Sequence, residues 1–521
     1  MKAKKTIGII CALALALGAV GCNKEKGGEV SDTGEAKYTA SYPIETDKTL
    51  KLWGVSTHQD YNDPREQPFY KELMKRTGVN LDITVVPGSQ SDELFNLMIV
   101  SNDLPDIVSA YWTWKLGGPD QCIAEGIVLP LNEMIEKYSP NLKKYLNENP
   151  NIDRMVKSDG GNYYMYPFIR DSDYLTTYIG PVVRGDIMDE LGLSDPETPE
   201  EWEAVLRAFK AAGIESPFNP GSNIQFMAGG FGTWGNYYLR DGKVVYGPVE
   251  DAYKEFLTTM TRWYSEGLME KDLASIDNNI LAAKMSSGKS ALAFGTGGQL
   301  GQWLSAGQGS NPGYTLRALK YATPEKGSQA EFGFKESLIG GSGCAITQQC
   351  SDPELAARFL DYGYGEEGHM LSNFGIEGES YTIEDGEPIF TQAMYEYKNG
   401  DLGSSISRYA WSVGSGACIQ DYRMYKQRMQ TDTQKQAIDT WLDTNMTAHL
   451  IPPTIPLEEE ADRLAQLDNA INTYWSEMVY KFIFGRESLD NFDAYVAEMK
   501  RLGLDEAIAF RQKALDRYNA R

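Results

Sequence analysis

Two periodicities alternate along residues 50–110, and that alternation restricts the fold more than any other feature of the chain. Leu50 to Val55 reads as a strand, and Pro68 to Thr77 as a helix with Phe69, Leu73 and Met74 on one face and Gly78 as its stop. Val79, Leu81, Ile83 and Val85 then alternate at the period of a second strand. A helix carrying Leu94, Leu97 and Met98 follows, and DLPDIVSA supplies another short strand. Strands and helices in this order build a parallel sheet with helices on its faces. After the break at Gly117 to Pro119, GIVLPLNEMIEKYSPNLKKYL leads to the aromatic stretch DGGNYYMYPF, where a crossover between lobes is expected.

Thr198-Pro199-Glu200-Glu201 is a capping box with proline in the first turn, and it predicts a helix burying Trp202, Val205, Leu206 and Phe209. A second helix, from about Glu250 to Glu266, buries Tyr253, Phe256, Leu257, Met260 and Tyr264 and is closed by Gly267. MSSGKSALAFGTGGQLGQW reads as a strand, a glycine-rich turn and a helix start. The last third is mostly helical, with Leu464, Leu467, Ile471, Tyr474 and Met478 marking one helix and Phe492, Tyr495, Val496 and Met499 another.

Lys2, Lys4 and Lys5 precede an apolar run from Ile7 to Val20 that ends at Gly21-Cys22, the pattern of a signal peptide over residues 1–21 with Cys22 left to carry lipid. Ala19 stands where a lipobox prefers Leu, so a plain secretory signal is the alternative. Residues 22–48 are polar, with few aliphatic side chains, and read as a flexible linker. No later stretch approaches the ~20 apolar residues of a membrane helix, so the expected location is the outer face of a bacterial cell membrane, held by lipid.

Lys and Arg number 49 against 73 Asp and Glu, a formal net charge of -24. Such a field repels nucleic acid and polyanions and favours a neutral or cationic ligand unless a local basic pocket overrides it; serving solubility is the plainer reading. Cys122, Cys344, Cys350 and Cys418 show no CxxC or Cys/His metal spacing and are expected as free thiols. His58, His369 and His449 are scattered singly, which argues against a histidine metal site or triad.

Eight segments carry a family resemblance: KRTGVNLDI at Lys75, SNDLPDIV at Ser101, GIVLPLNEMIEKYSPNLKKYL at Gly126, VVRGDIMDELGL at Val182, YYLRDGKVVYGPVEDAYKEFL at Tyr237, WYSEGLMEKDL at Trp263, NFGIEGESY at Asn373 and the long segment from Phe482 to Tyr518. In this order they resemble the LipO-like branch of the family 1 extracellular solute-binding proteins, relatives of the alginate- and maltooligosaccharide-binding proteins of ABC importers, over nearly the whole mature chain. The resemblance implies an α/β, periplasmic-binding-protein-like type II fold, with two α/β lobes joined by a hinge and a ligand cleft between them. The expected division is residues 49–160 and 290–345 for the first lobe, and 161–289 and 346–521 for the second, more helical one. The resemblance also implies an oligosaccharide ligand, permease subunits as partners, attachment to the membrane through Cys22, no cofactor, no nucleic acid and a monomer. Alginate-type members carry an acidic calcium loop after the helix that here ends at Phe209; this chain reads KAAGIESPF, so no calcium is expected there.

Sugar rings have a polar rim and an apolar face, so their sites stack an aromatic ring on that face and hydrogen-bond the hydroxyls. Helical periodicity assigns Trp202, Trp263, Trp441 and Trp475 to the core and leaves Trp53, Trp112, Trp114, Trp234, Trp303 and Trp411 as ligand candidates. Trp112 and Trp114 follow the strand Ile107 to Ala110, and ligands of open α/β sheets bind beyond the carboxyl ends of strands. Trp234 and Trp411 lie in glycine-rich surroundings, Trp53 faces opposite to Leu52, and Trp303 with Leu300 and Leu304 equally fits the buried face of a helix.

The polar candidates are Arg170, Asp171, Arg184, Gln299, Glu377 and Tyr381. For Arg184 the alternative is an ion pair with Asp186, and for Glu377 and Tyr381 a turn shaped by the glycines of GIEGESY. Ser286-Ser287-Gly288-Lys289 matches S-x-x-K without its companion motifs, and Gly288-Lys289-Ser290 ends like a phosphate loop but has Ala283 where the first glycine belongs. No catalytic residue is assigned. A glycoside hydrolase using carboxylates such as Asp171, Asp173, Glu377 and Glu379 is the rival from another class, and a surface glycan-capture protein without a transporter is the other alternative.

Overall fold

The computed structural model describes residues 40–56, 63–113, 117–397, 402–410 and 416–521. The signal peptide, Cys22, Trp114 and Trp411 lie outside the described residues. In chain order the strands are β1 (Thr49–Ser56), β2 (Asn80–Pro87), β3 (Ile107–Tyr111), β4 (Tyr166–Arg170), β5 (Ile179–Arg184), β6 (Ser216–Asn219) and β7 (Tyr237–Arg240). Then come β8 (Lys243–Tyr246), β9 (Ser290–Thr296), β10 (Leu316–Ala318), β11 (Ile339–Ile346), β12 (Tyr381–Glu384), β13 (Glu387–Phe390) and β14 (Cys418–Gln420).

Two sheets organise the molecule. The first has the order β14-β4-β11-β3-β1-β2 and the second β10-β5-β9-β6, while β7/β8 and β12/β13 are separate hairpins. In the first sheet β1, β2 and β3 run parallel and β11 alone runs against its neighbours β3 and β4. In the second, β6 and β9 are parallel and β5 opposes both β9 and β10. Parallel strands are buried on both faces, and β9 shows it, with Ser290 through Gly295 buried in succession.

The helices form where the sequence patterns place them. Pro68–Thr77 buries Phe69 and Leu73 and ends in a left-handed Gly78 at φ 75°. In Pro199–Ala211 the Thr198 hydroxyl caps the first turn by accepting from Glu201 N, and Trp202, Val205, Leu206 and Phe209 are buried. Glu458–Ile483, Phe492–Arg501 and Leu504–Ala520 pack on the second sheet's core through Leu467, Ile471, Phe482, Phe492, Tyr495 and Leu504. At its far end the last helix returns to the first lobe, where Arg517 and Arg521 pair with Asp159, whose side chain is 5% exposed.

The strand pairing corrects the expected division into lobes. β9 and β10, expected in the first lobe, pair with β5 and β6 in the second sheet. β4 and β14, expected in the second lobe, lie in the first sheet. A local pattern identifies a strand but not its partner. The expected linker is also shorter at its end: Ile44 is buried with its N–H donating to Thr77 O (2.7 Å), and Tyr42 Oη donates to Arg358 O (2.8 Å). Cys122, Cys344 and Cys418 are buried and Cys350 is half-buried.

Candidate functional site

Register fixes where a ligand can approach. Ile179 pairs with Thr296, so the start of β5 and the end of β9 share one edge of the second sheet with the end of parallel β6. In the first sheet the ends of β1, β2, β3, β4 and β14 share the corresponding edge with the start of β11. Among the described residues the chain passes between the sheets at 171–178, at 319–338 and after Gln420. Two of these passages begin at the carboxyl ends of β4 and β14, and the other ends where β11 starts, so the passages gather at the carboxyl edges, where open α/β sheets bind ligands.

The passages are tied to one another. Arg170 donates to Glu336 Oε2 (2.8 Å) and to Ser337 O (2.8 Å), and Tyr178 Oη donates to Glu336 Oε1 (2.6 Å). Lys335 pairs with Asp173 at 2.7 Å. Asp171, exposed, accepts from Tyr422 N at 3.2 Å. Behind it, burial works against the charge of Asp421, but hydrogen bonds from His369 (3.0 Å) and Arg423 (2.6 Å) hold this carboxyl well below the usual carboxylate range.

Beside the passages, on the second lobe, opens a cleft of about 590 Å³. The segment after β6 contributes Asn223, Gln225 and Phe226, and the approach to β7 contributes Trp234, Asn236 and Tyr237. Asn472 and Trp475 project from one turn of Glu458–Ile483, and Phe334 and Lys335 come from the passage into β11. Met446 and His449, from a short helix, complete one wall. Trp475 is half-buried and its Nε1 donates to Tyr253 Oη at 3.2 Å. Trp234 lies nearly parallel to Phe226 (5.5 Å, 9°) and Phe332 (5.9 Å, 13°). A smaller hollow of about 240 Å³ shares Asn223 with this cleft and adds Gln299 and Phe294 at the end of β9. Aromatic faces beside primary amides suit a ligand with apolar faces and many hydroxyls.

Of the residues singled out in the sequence, the structure brings Trp234, buried at 8% exposure between Phe226 and Phe332, to the wall of this cleft and Gln299 into the adjoining hollow. Gln299 also closes a capping box with Thr296, its Oε1 accepting from Thr296 N at 2.8 Å. Arg170 and Asp171 sit at the passage from β4, next to the cleft but outside its lining.

The remaining candidates stand elsewhere. Trp112 is buried, its Nε1 donating to Gly343 O at 3.2 Å, and Trp303 is buried with Leu300 and Leu304, the helix-face alternative. A Cβ on Gly295 would lie 2.7 Å from the Trp303 ring, so the glycine there makes room for the indole. Trp53 is buried mid-strand, edge-on to Phe95 at 6.1 Å. Arg184 ends β5, and because that strand is antiparallel to β9 it stands at the opposite edge of the sheet, about 17 Å from Ile179 at strand rise. There it pairs with Asp186 (2.6 Å) over the Tyr314 ring (4.1 Å). Tyr381 is buried against Phe374, and exposed Glu377 lies in a turn held by Ser380 Oγ, which accepts from Ile376 N at 2.7 Å.

Sequence reasoning missed Asn223, Gln225, Asn236, Tyr237, Asn472 and Trp475. Trp475 continues the apolar face of its helix and so reads as core; the usable signal was Asn472 one turn before it, a polar side chain at the border of that face.

The family model for bacterial extracellular solute-binding proteins matches residues 56–370. The fructooligosaccharide ABC transporter substrate-binding protein FusA of Streptococcus pneumoniae serotype 4 is 26% identical over 517 residues, covering 92% of this chain and 92% of the relative. Lipoprotein LipO of Bacillus subtilis is 24% identical, over 85% of this chain and 87% of its own. Among solved structures the alginate-binding protein AlgQ2 superposes with a TM-score of 0.72 at 23% identity, covering 90% of this chain and 99% of that one.

Proposed function

The chain belongs to the bacterial extracellular solute-binding protein family, and from that membership we propose that it captures an oligosaccharide outside the cell and hands it to the permease of an ABC transporter. The observation that carries the sugar is the cleft of about 590 Å³, whose wall sets Trp234, Trp475 and Tyr237 beside Asn223, Gln225, Asn236 and Asn472. Aromatic rings take the apolar faces of sugar rings, and amides donate and accept toward vicinal hydroxyls. The name of the relative FusA, matched along 92% of both chains, points to the same ligand class. Glycoside hydrolysis, by contrast, works through a pair of carboxylates, where this wall offers amides and aromatic rings.

In this reading the first lobe is built on β1–β4, β11 and β14 and the second on β5, β6, β9 and β10 with the C-terminal helices, the passages between them forming the hinge. Arg170 and Asp171 shape that hinge, Trp234, Trp475 and Gln299 meet the ligand, and Trp114 and Trp411 keep their place as candidates. Cys22 carries the lipid that holds a monomer at the outer face of the membrane; the kinship with lipoprotein LipO supports this.

A thermal-shift screen of the mature protein against an oligosaccharide panel tests the proposal. A ligand at a hundred times its Kd stabilises the folded state by about 2.7 kcal/mol and raises Tm. If no saccharide shifts Tm while a peptide or another solute does, the ligand class is wrong.

A further inference from the structure

We infer that the cleft selects uncharged oligosaccharides over both uronates and amino sugars, an inference that rests on the proposed reading and adds the ligand's charge to it. The chain carries a net charge of -24, yet no Asp or Glu is found among the described residues lining the cleft. A cationic sugar would therefore find long-range attraction but no carboxylate to pair with once desolvated, and unpaired buried charge is costly. The two basic side chains in the lining are engaged. Lys335, only 9% exposed, is paired with Asp173 at 2.7 Å. His449 has Leu239 O at 2.8 Å from Nδ1 and Glu331 at 2.9 Å from Nε2. Glu336, next to Lys335, is taken by Arg170 and Tyr178. In the adjoining hollow the one carboxylate in the lining, Asp277, accepts from Ile280 N at 2.8 Å as a helix cap. What remains to meet a ligand is a set of neutral amides and aromatic faces. A uronate chain would meet neutral donors in a field that repels it, with the nearest cation already balanced.

The Asp173–Lys335 pair turns this into an experiment. Calorimetry compares neutral gluco- and galacto-oligosaccharides with oligogalacturonates and chitosan oligomers of the same ring number, for the wild type and for Asp173→Asn. The wild type is expected to bind one of the neutral series with an affinity nearly independent of salt, and each charged series at least roughly tenfold more weakly. Asp173→Asn frees the Lys335 ammonium and should improve oligogalacturonate affinity roughly tenfold at low ionic strength, a gain that high salt removes. Tighter wild-type binding of either charged series overturns the inference and leaves the oligosaccharide reading standing. Absence of binding in all four series overturns both. An Asp173→Asn variant that melts with the wild type yet gains nothing for uronates overturns the role given to the ion pair.

Discussion

Trp475 is held by one hydrogen bond, Nε1 to Tyr253 Oη at 3.2 Å, and stays half-buried on the cleft wall, whereas Trp112 and Trp303 are enclosed. The two situations separate by measurement. Trp475→Ala should weaken oligosaccharide binding by about 1–3 kcal/mol, as loss of an aromatic anchor does, with a small change in Tm. Trp303→Ala should cost about 3–5 kcal/mol of stability through the cavity it leaves. Calorimetric titration and thermal melts of the two variants decide it, and equal loss of Tm in both would return Trp475 to the core. At this scale local context misled the reading in both directions. The glycine-rich turn before its helix left Trp303 a ligand candidate beside the helix-face alternative, but Gly295 is small because the indole lies against it. The helical stripe that buries Ile471 and Met478 also carries Trp475, and a stripe does not show where its border meets a cleft.

Among elements, the helix Pro140–Glu148 depends on a distant side chain. Asp361 is fully buried and its carboxylate accepts from Leu142 N (2.8 Å), Asn141 N (3.2 Å) and Asn141 Nδ2 (3.0 Å), capping a helix that lacks a cap of its own. Burial pushes this carboxyl up to about 7 against those bonds. A carboxyl raised in the folded state contributes stability that is fully present below its unfolded value near 3.8 and is lost as pH rises through about 7. Denaturant melts from pH 5 to pH 8 should therefore show a fall of about 1–2 kcal/mol that Asp361→Asn lacks; parallel curves for the two proteins would exclude it. Helices of this kind were largely legible because their signals are local: Thr198 as cap, Gly78 as stop and apolar faces at helical spacing all stand within one turn of what they control. Asp361 is invisible to such a reading, since its partners are 219 and 220 positions away in the chain.

For the whole molecule the same contrast decides what a sequence conveys. The sequence marks β9 as a strand and β4 as an extended stretch, but which sheet receives them, and that Cys418–Gln420 is a strand at all, is settled by long-range pairing such as Cys418 with Phe168 and Pro181 with Phe294. The cleft inherits this, because its walls come from segments as far apart as Asn223 and Trp475 and exist only once the passages between the sheets are in place. Two of those passages meet at Glu336, which accepts from Arg170 at 2.8 Å and Tyr178 at 2.6 Å. A ligand can favour a closed arrangement only by binding it better than the open one, so the hinge must resist closing weakly enough for sugar contacts to overcome. Glu336→Ala removes the shared acceptor and leaves two donors on different stretches of chain without it. Since the carboxylate is 37% exposed, the loss should be modest, about 1–2 kcal/mol of stability, while lobe motion widens. A denaturant melt reads the first effect, and small-angle scattering with and without a saturating neutral oligosaccharide reads the second. The wild type should contract on binding, and the variant should start from a larger radius of gyration and reach the same closed value. If neither protein contracts, the cleft binds without hinge closure, and the passages are struts that hold a preformed site.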